Sequence, residues 1–180
     1  MRTRGFVVKK SDYGEYDQLI TFYTENFGKI TGIAKSVTKP DSKQASHLDV
    51  LNLVDFSLIS GNGYPIITSA VSISTNFLIK KSLPALAVSS FLLEIIDKAM
   101  YSHDPDSNLW DFFVKSFDYL NDISPHLKPV QYEPIFLNFK NQALYLLGYS
   151  DFKKTDTSLV LEEIFQRQFG SLQFLKNVIK

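Results

Sequence analysis

The chain has 180 residues, and 44% of them are hydrophobic, including 15 Phe and 9 Tyr. This length suits one ordinary domain or two small ones, and the apolar content is sufficient for a packed core. The absence of cysteine excludes disulfides, thiolate nucleophiles and Cys-based zinc sites. No apolar run approaches the roughly 20 residues of a membrane span, and no signal-peptide pattern follows Met1. We therefore expect an intracellular, cytoplasmic protein.

The positive charge is concentrated near the N-terminus, although the formal net charge is zero. Residues 1–47 carry 8 Lys and Arg against 5 Asp and Glu, whereas the rest carries 11 against 14. This modest asymmetry places the basic surface in the first part of the chain.

The first half has the pattern of short β-strands separated by turns. The predicted strands are Gly5–Lys10, Asp17–Thr24, Gly28–Ala34, Leu51–Ile59 and Tyr64–Ile73. Ser11–Glu15 is predicted as a turn, and a polar stretch separates the third strand from the fourth. Five short strands within about 75 residues predict a small closed barrel.

The second half changes to a helical period. A helix is predicted from Pro84 to Ala99, a second over Leu109–Leu120 and a third from Phe136 to Leu147, ending at Gly148. Two shorter helices are predicted over Leu159–Phe169 and Leu172–Ile179, with Gly170 ending the first and Ser171 capping the second. The fold class is thus α+β: a barrel domain over residues 1–78 and an all-helical domain over residues 79–180, with the boundary near Asn76–Ser82.

The sequence shows no arrangement of residues typical of an enzyme. His47, His103 and His126 lack metal-ligand spacing, and we expect them in surface loops. No nucleotide-binding, hydrolase or metalloprotease motif occurs. Asp12, Glu15 and Asp17 form an acidic cluster that an exposed turn explains. We therefore predict a protein without catalytic activity, metal or cofactor.

The polar stretch between the third and fourth predicted strands is a candidate nucleic-acid interface. Its lysines, Lys35, Lys39 and Lys43, recur every four residues among hydroxyl side chains, a composition suited to contacts with phosphate oxygens. Further basic residues extend this surface if the strands place them on the same side: Arg2, Arg4, Lys9, Lys10 and Lys29. Candidate platforms for base stacking are Tyr13, Tyr16, Tyr23 and Phe27. A lysine-rich loop that only confers solubility explains the same residues.

The order of these residues resembles the N-terminal region of the bacterial RecO family. The similar segments there are Gly5–Val8, Asp12–Asp17, Phe22–Ile30, Gly32–Lys35, Ser42–Lys43, His47–Leu48 and Leu53–Leu58. Looser similarity follows at Leu92–Asp97, Leu144–Tyr149 and Phe169–Leu175.

The resemblance implies an OB-fold DNA-binding domain joined to a helical domain. It implies binding of single- and double-stranded DNA, strand annealing, and loading of RecA with RecR and single-strand-binding protein, at the nucleoid. It assigns DNA contacts to Lys35, Lys39 and Lys43, and less directly to Arg2, Arg4 and Lys29. The chain departs from the family in having no four-cysteine zinc module after Tyr149, and it is short for the family.

Two other classes of function fit the residues alone. The barrel is a protein-interaction module if the lysine-rich loop only keeps it soluble. An OB-type RNA-binding protein would prefer RNA to DNA of the same sequence, because the 2′-OH is the distinguishing contact.

Overall fold

The computed structural model describes residues 1–61, 63–149, 161 and 169–179. The chain forms two compact units. The first holds Met1–Asn76 together with Met100–Ser107, and the second holds Phe77–Ala99 together with the described residues from Asn108 onward. The segment Met100–Ser107 therefore packs with the first unit although it follows a helix of the second.

The first unit is a barrel of five strands. They are β1 (Arg2–Tyr13), β2 (Asp17–Thr24), β3 (Gly28–Ala34), β4 (Leu53–Ile59) and β5 (Ile66–Ser74). Their order is β1-β2-β3-β5-β4, with β4 pairing back onto β1 to close the barrel. All neighbours are antiparallel except β3 and β5, which are parallel and joined through Ile33↔Ile66 and Ala34↔Ile67. The predicted OB-type barrel followed by a helical region is confirmed.

Three strands differ in their bounds from the predicted ones. Strand β1 is longer, because its first residues pair with β4 and its last with β2, as in Tyr13↔Asp17. Most of the predicted Ser11–Glu15 turn is therefore strand. Strand β4 begins at Leu53, because Leu51 has a left-handed backbone with φ 72°. Strand β5 begins at Ile66, after Pro65, which has no N–H to donate to a ladder.

The barrel interior is filled by alternate residues of its strands. Phe22 and Phe56 stack at its centre with ring centroids 4.0 Å apart. The core also includes two residues from the connection between β3 and β4, namely Val37 and Leu48. That connection is therefore partly inside the barrel, so it is anchored and not only a polar surface loop.

The segment Met100–Ser107 lies on the end of β3. Ser102 forms isolated β-bridges with Gly28 and Lys29, and the His103 N–H donates to the Lys29 carbonyl at 3.2 Å. Gly28 has a left-handed backbone with φ 64°, and a Cβ there would overlap the backbone of Asp104. A glycine is thus required at the point where this segment crosses the strand.

The second unit is helical. Its described helices are α1 (Phe77–Lys81), α2 (Leu83–Ala99), α3 (Ser107–Ile123), α4 (Tyr132–Leu146) and α5 (Gly170–Val178). Short 3₁₀ turns at Ser124–His126 and Pro129–Gln131 connect α3 to α4. The three long predicted helices are confirmed, whereas α1 was not predicted.

The ends of the helices follow local chemistry. Gly148, with φ 87°, terminates α4: its N–H and that of Tyr149 donate back to the carbonyls of Tyr145 and Leu144. The predicted role of Ser171 as the cap is wrong, since α5 begins at Gly170 and Ser171 lies inside its first turn. The predicted role of Gly170 concerns the end of the preceding helix. The predicted helix over Leu159–Phe169 lies outside the described residues except for Leu161 and Phe169.

Glu94 on α2 caps the start of α5. Its carboxylate accepts the backbone N–H groups of Gly170 and Ser171, the Ser171 hydroxyl, and the Lys98 ammonium. Burial raises the pKa of Glu94, but these hydrogen bonds together outweigh burial and hold the pKa below its usual value. A carboxylate is therefore held at a helix N-terminus, where the peptide dipoles favour negative charge. Among the described helices, none is long and apolar enough to cross a membrane.

Candidate nucleic-acid interface

The connection between β3 and β4, residues 35–52, carries the three predicted DNA-binding lysines; we call residues 35–47 of it the basic loop. Asp17, the first residue of β2, holds its beginning. The Asp17 carboxylate accepts the Lys35 ammonium through Oδ2 and the Ser36 N–H through Oδ1, both at 2.7 Å. The Lys35 side chain and the Ser36 N–H lower the pKa of Asp17, against a smaller opposing effect of burial. Ser36 itself has a left-handed backbone with φ 53°, so this contact stabilises a conformation that serine rarely adopts.

Further contacts hold the basic loop along its length. Thr38 donates its N–H to the Tyr16 carbonyl at 3.1 Å, which ties the loop to the β1–β2 turn. Near its other end, Nδ1 of His47 accepts the Ser72 N–H at 3.2 Å. The buried Asn52 donates its side-chain amide to the carbonyls of Ser46 and His47, each at 2.9 Å. The basic loop is therefore fixed to the barrel at both ends.

The three lysines of the basic loop are exposed but differ in their surroundings. Lys35 is ion-paired with Asp17, and 54% of its side chain is exposed. The Lys39 ammonium lies 5.2 Å from the centroid of the Tyr16 ring, within the range of a cation–π contact. Lys43 is exposed farther along the loop. Lys39 and Tyr16 thus place a positive charge and an aromatic face side by side.

The structure does not bring Arg2, Arg4 or Lys29 to this end of the barrel, whereas Lys10 lies there and its ammonium contacts Asp49 of the β3–β4 connection at 3.4 Å. Arg4 and Lys29 lie at the level where Gly5, Thr24 and Gly28 pair, whereas Lys35 follows the level of Ser11, Leu19 and Ile33. That separation is six residues along β1, about 20 Å of strand. Arg2, Arg4 and Lys29 therefore belong to the opposite end of the ladder from Lys35. The strand register therefore does not place Arg2, Arg4 or Lys29 on the same basic surface as Lys35, as the sequence had led us to expect.

Arg2 and Arg4 are also engaged by carboxylates. Arg2 binds Asp55 through two parallel hydrogen bonds of 2.8 and 2.7 Å, and Arg4 binds Glu25 in the same forked manner. The hydrogen bond from Arg2 lowers the pKa of Asp55, and its charge adds to the effect. A phosphate would have to compete with these carboxylates, so the two arginines offer less positive potential than their number suggests.

The aromatic residues divide into exposed and buried ones. Tyr13 and Tyr16 are 43% and 42% exposed, at the end of β1 and in the turn after it. Tyr23 is fully buried, and its hydroxyl donates to the Asp106 carbonyl at 3.4 Å. Phe27 packs against the barrel core. The prediction that Tyr23 is a stacking platform is therefore wrong, Phe27 is partly buried, and Tyr13 and Tyr16 are the two exposed candidates.

Sequence reasoning missed the residues that hold the basic loop, above all Asp17 and Asn52. Asp17 was interpreted as part of an acidic turn, because its partners lie eighteen and nineteen residues away. The only available signal was the alignment of β2 with β3, which places Gln18 opposite Ala34 and so Asp17 beside Lys35. Across the part of the chain that the structure describes, no cluster of three His, Asp or Glu side chains is arranged to hold a metal ion.

The helical unit has a separate groove between α3 and α4. Its volume is about 550 Å³. Phe112 and Phe139 form its apolar wall, and Lys115 lies at its side. The remaining lining residues are Ser116, Tyr119, Pro134, Ile135, Asn138 and Gln142.

Comparison with known proteins connects the barrel to a family. Residues 1–76 match the family model described as recombination protein O N terminal. Relatives named DNA repair protein RecO include those of Clostridium perfringens, 31% identical over 146 residues, and Acetivibrio thermocellus, 28% identical over 150 residues. A third, from Bacillus cytotoxicus, is 26% identical over 133 residues.

These alignments cover 81%, 83% and 73% of this chain but only 57%, 58% and 54% of the respective relatives. The chain thus spans little more than half the length of the curated relatives it matches. The family match ends at Asn76, the last residue of the barrel before α1. Residues 1–76 are thus an N-terminal domain of the RecO family.

Proposed function

We propose that this protein binds DNA in recombinational repair and acts by holding strands, without making or breaking covalent bonds. The observation that carries the proposal is the anchored basic loop beside an exposed tyrosine on an OB-type barrel of the RecO family. In this proposal the protein binds single- and double-stranded DNA, promotes annealing, and loads RecA together with RecR. Its place is the cytoplasm, at the nucleoid, where its substrate is.

The proposed mechanism assigns different work to the two kinds of side chain. Lys39 and Lys43 contact phosphates and release counterions, which supplies affinity without reading sequence. Tyr16 and Tyr13 stack on unpaired bases, a contact worth about 1–3 kcal/mol per base. Because the basic loop is already fixed by Asp17, Asn52 and the core, little ordering entropy is lost on binding.

Equilibrium binding to labelled oligonucleotides tests this proposal. Single-stranded DNA, duplex DNA and RNA of one mixed sequence are titrated at 50 and 200 mM salt and followed by fluorescence anisotropy. We expect binding to both DNA forms that weakens steeply with salt. Absence of binding at low salt would favour the protein-interaction module, and a clear preference for RNA would favour the RNA-binding alternative.

A substitution of Tyr16 tests the proposed stacking on bases. Tyr16→Ala removes the ring beside Lys39, and we expect weaker binding of single strands and slower annealing of complementary strands. Duplex affinity should change less, because paired bases are not available for stacking. Tyr64→Ala is the matched control, since Tyr64 is a similarly exposed tyrosine of the barrel unit at 46%.

Single-strand-binding protein is a second proposed partner, and the groove between α3 and α4 supports it. An acidic, partly apolar tail requires an apolar cleft with a positive charge, which Phe112, Phe139 and Lys115 supply. A pull-down with the tail peptide should succeed with the natural protein and fail after Lys115→Glu. If the tail peptide still retains the Lys115→Glu variant, the groove is not the binding site for the tail. Lys128→Glu makes the same charge change away from the groove.

A further inference from the structure

The pairing of Asp17 with Lys35 has a consequence for DNA binding at the same end of the barrel. Asp17 makes two contacts of different kinds, a salt bridge to Lys35 Nζ and a hydrogen bond from the Ser36 N–H. The first occupies a cation that a phosphate would otherwise engage. The second holds the backbone at the point where the basic loop begins.

We propose that Asp17 is a positioning residue that both orders the basic loop and competes with phosphate for Lys35. This inference rests on the proposed function, because it concerns how the same loop meets nucleic acid. In the natural protein Asp17 holds the Lys35 ammonium away from phosphate, and Lys35 neutralises a phosphate only when the Asp17 charge is removed. The ion pair thus lowers affinity, while the hydrogen bond from the Ser36 N–H to Asp17 holds the loop.

The geometry separates the two roles of Asp17. The carboxylate uses Oδ2 for Lys35 and Oδ1 for Ser36, so one oxygen can lose its partner while the other keeps it. Ser36 needs that acceptor because its φ of 53° is unfavourable for a residue with a side chain. The next fixed point, from Thr38 to the Tyr16 carbonyl, follows two residues later.

Two substitutions at this position distinguish the roles. Asp17→Asn keeps an oxygen that can accept the Ser36 N–H but removes the negative charge, whereas Asp17→Ala removes both. We expect Asp17→Asn to bind single-stranded DNA several-fold more tightly at low salt. The slope of the logarithm of its binding constant against the logarithm of the salt concentration should steepen by about 0.7, the value for one more phosphate neutralised on a single strand.

The matched control is Asp12→Asn, and the coupling test is Lys35→Gln. Asp12 lies at the end of β1 opposite Gln18, whose side-chain amide it accepts at 3.1 Å, so Asp12→Asn removes the same charge without releasing Lys35. We expect its salt slope to stay at the natural value. In a Lys35→Gln background, Asp17→Asn should no longer steepen the slope, because the lysine it releases is gone.

Hydrogen exchange at Ser36 and Thr38 measures the ordering role without DNA. Exchange should stay slow in Asp17→Asn and become faster in Asp17→Ala. Equal exchange in both variants would overturn the ordering role, and equal salt slopes for Asp17→Asn and Asp12→Asn would overturn the competition for Lys35. If the natural protein binds no oligonucleotide, the proposed function and the competition fail together, whereas the ordering role is still decided by exchange.

Discussion

Charged side chains on the barrel surface are arranged in pairs more than in patches. Arg2 and Asp55, Arg4 and Glu25, and Lys35 and Asp17 each form an ion pair at 2.7 Å. Exposed pairs of this kind contribute little to stability, typically less than about 1 kcal/mol. Their main effect is on the electrostatic potential of the surface, because each carboxylate neutralises an Arg or Lys that a count of residues in the sequence would treat as a free positive charge. The effective positive charge is therefore reduced to a few residues of the basic loop.

The Arg2–Asp55 pair predicts a specific pH dependence of stability. The folded-state pKa of Asp55 lies below its ordinary value, so its contribution is present above about pH 4 and is lost as pH falls through the lower folded value. Arg2→Gln removes the partner that lowers this pKa. We expect Arg2→Gln to be less stable than the natural protein at pH 7 but no different at about pH 2. Urea unfolding at both pH values measures the difference, and an equal difference at the two would contradict the assignment.

The strands and helices differ in how far their sequence determines them. Alternation of Val54, Phe56 and Leu58 predicts a strand facing the core, and all three side chains are almost completely buried in β4. Helix α2 follows its apolar stripe in the same direct way. The segment Met100–Ser107 gives no such signal, since a polar run containing Asp104 has the composition of a linker. Its position depends on a contact with Gly28, more than seventy residues earlier, which no local pattern encodes.

A substitution of Gly28 tests whether this glycine holds Met100–Ser107 in place. Gly28→Ala places a side chain on a left-handed backbone, at a cost of about 1–2 kcal/mol, and also overlaps the backbone of Asp104. Gly14→Ala is the matched control, because Gly14 also has a left-handed φ, 77°, but a Cβ there meets nothing within 4 Å. We expect Gly28→Ala to lower the free energy of unfolding clearly more than Gly14→Ala does. It should also accelerate hydrogen exchange at His103, whose N–H donates to Lys29.

Equal losses of stability in the two alanine variants would contradict this account of Gly28. The cost of placing alanine on a left-handed backbone would then explain both losses, and Met100–Ser107 would not be held against β3. Unchanged exchange at His103 would lead to the same conclusion.

In the function proposed above, the composition of the whole molecule makes DNA binding a local property. With 19 basic and 19 acidic residues, the chain has no net charge to attract a polyanion over long distances. In that proposal, binding comes from a small set of fixed cations, and we assign it to the basic loop. The sequence was sufficient to propose Lys35, Lys39 and Lys43 as DNA contacts, since their spacing is visible in it. It could not show that Lys35 is paired, that Tyr23 is buried, or that Arg2 and Arg4 lie at the other end of the ladder, because each depends on strand register.

The salt dependence of duplex binding by a triple lysine variant tests the central claim most directly. Lys35, Lys39 and Lys43 are replaced together by Gln, and binding is measured over a series of salt concentrations. If Lys39 and Lys43 each neutralise one phosphate while Asp17 holds Lys35, the slope of log affinity against log salt should flatten by about 2, at about 0.9 per phosphate. The control replaces Lys81, Lys128 and Lys176, exposed lysines of the helical unit, and should leave the slope unchanged. An unchanged slope in the basic-loop variant, or an equal loss in the control, would contradict the assignment of DNA binding to this loop.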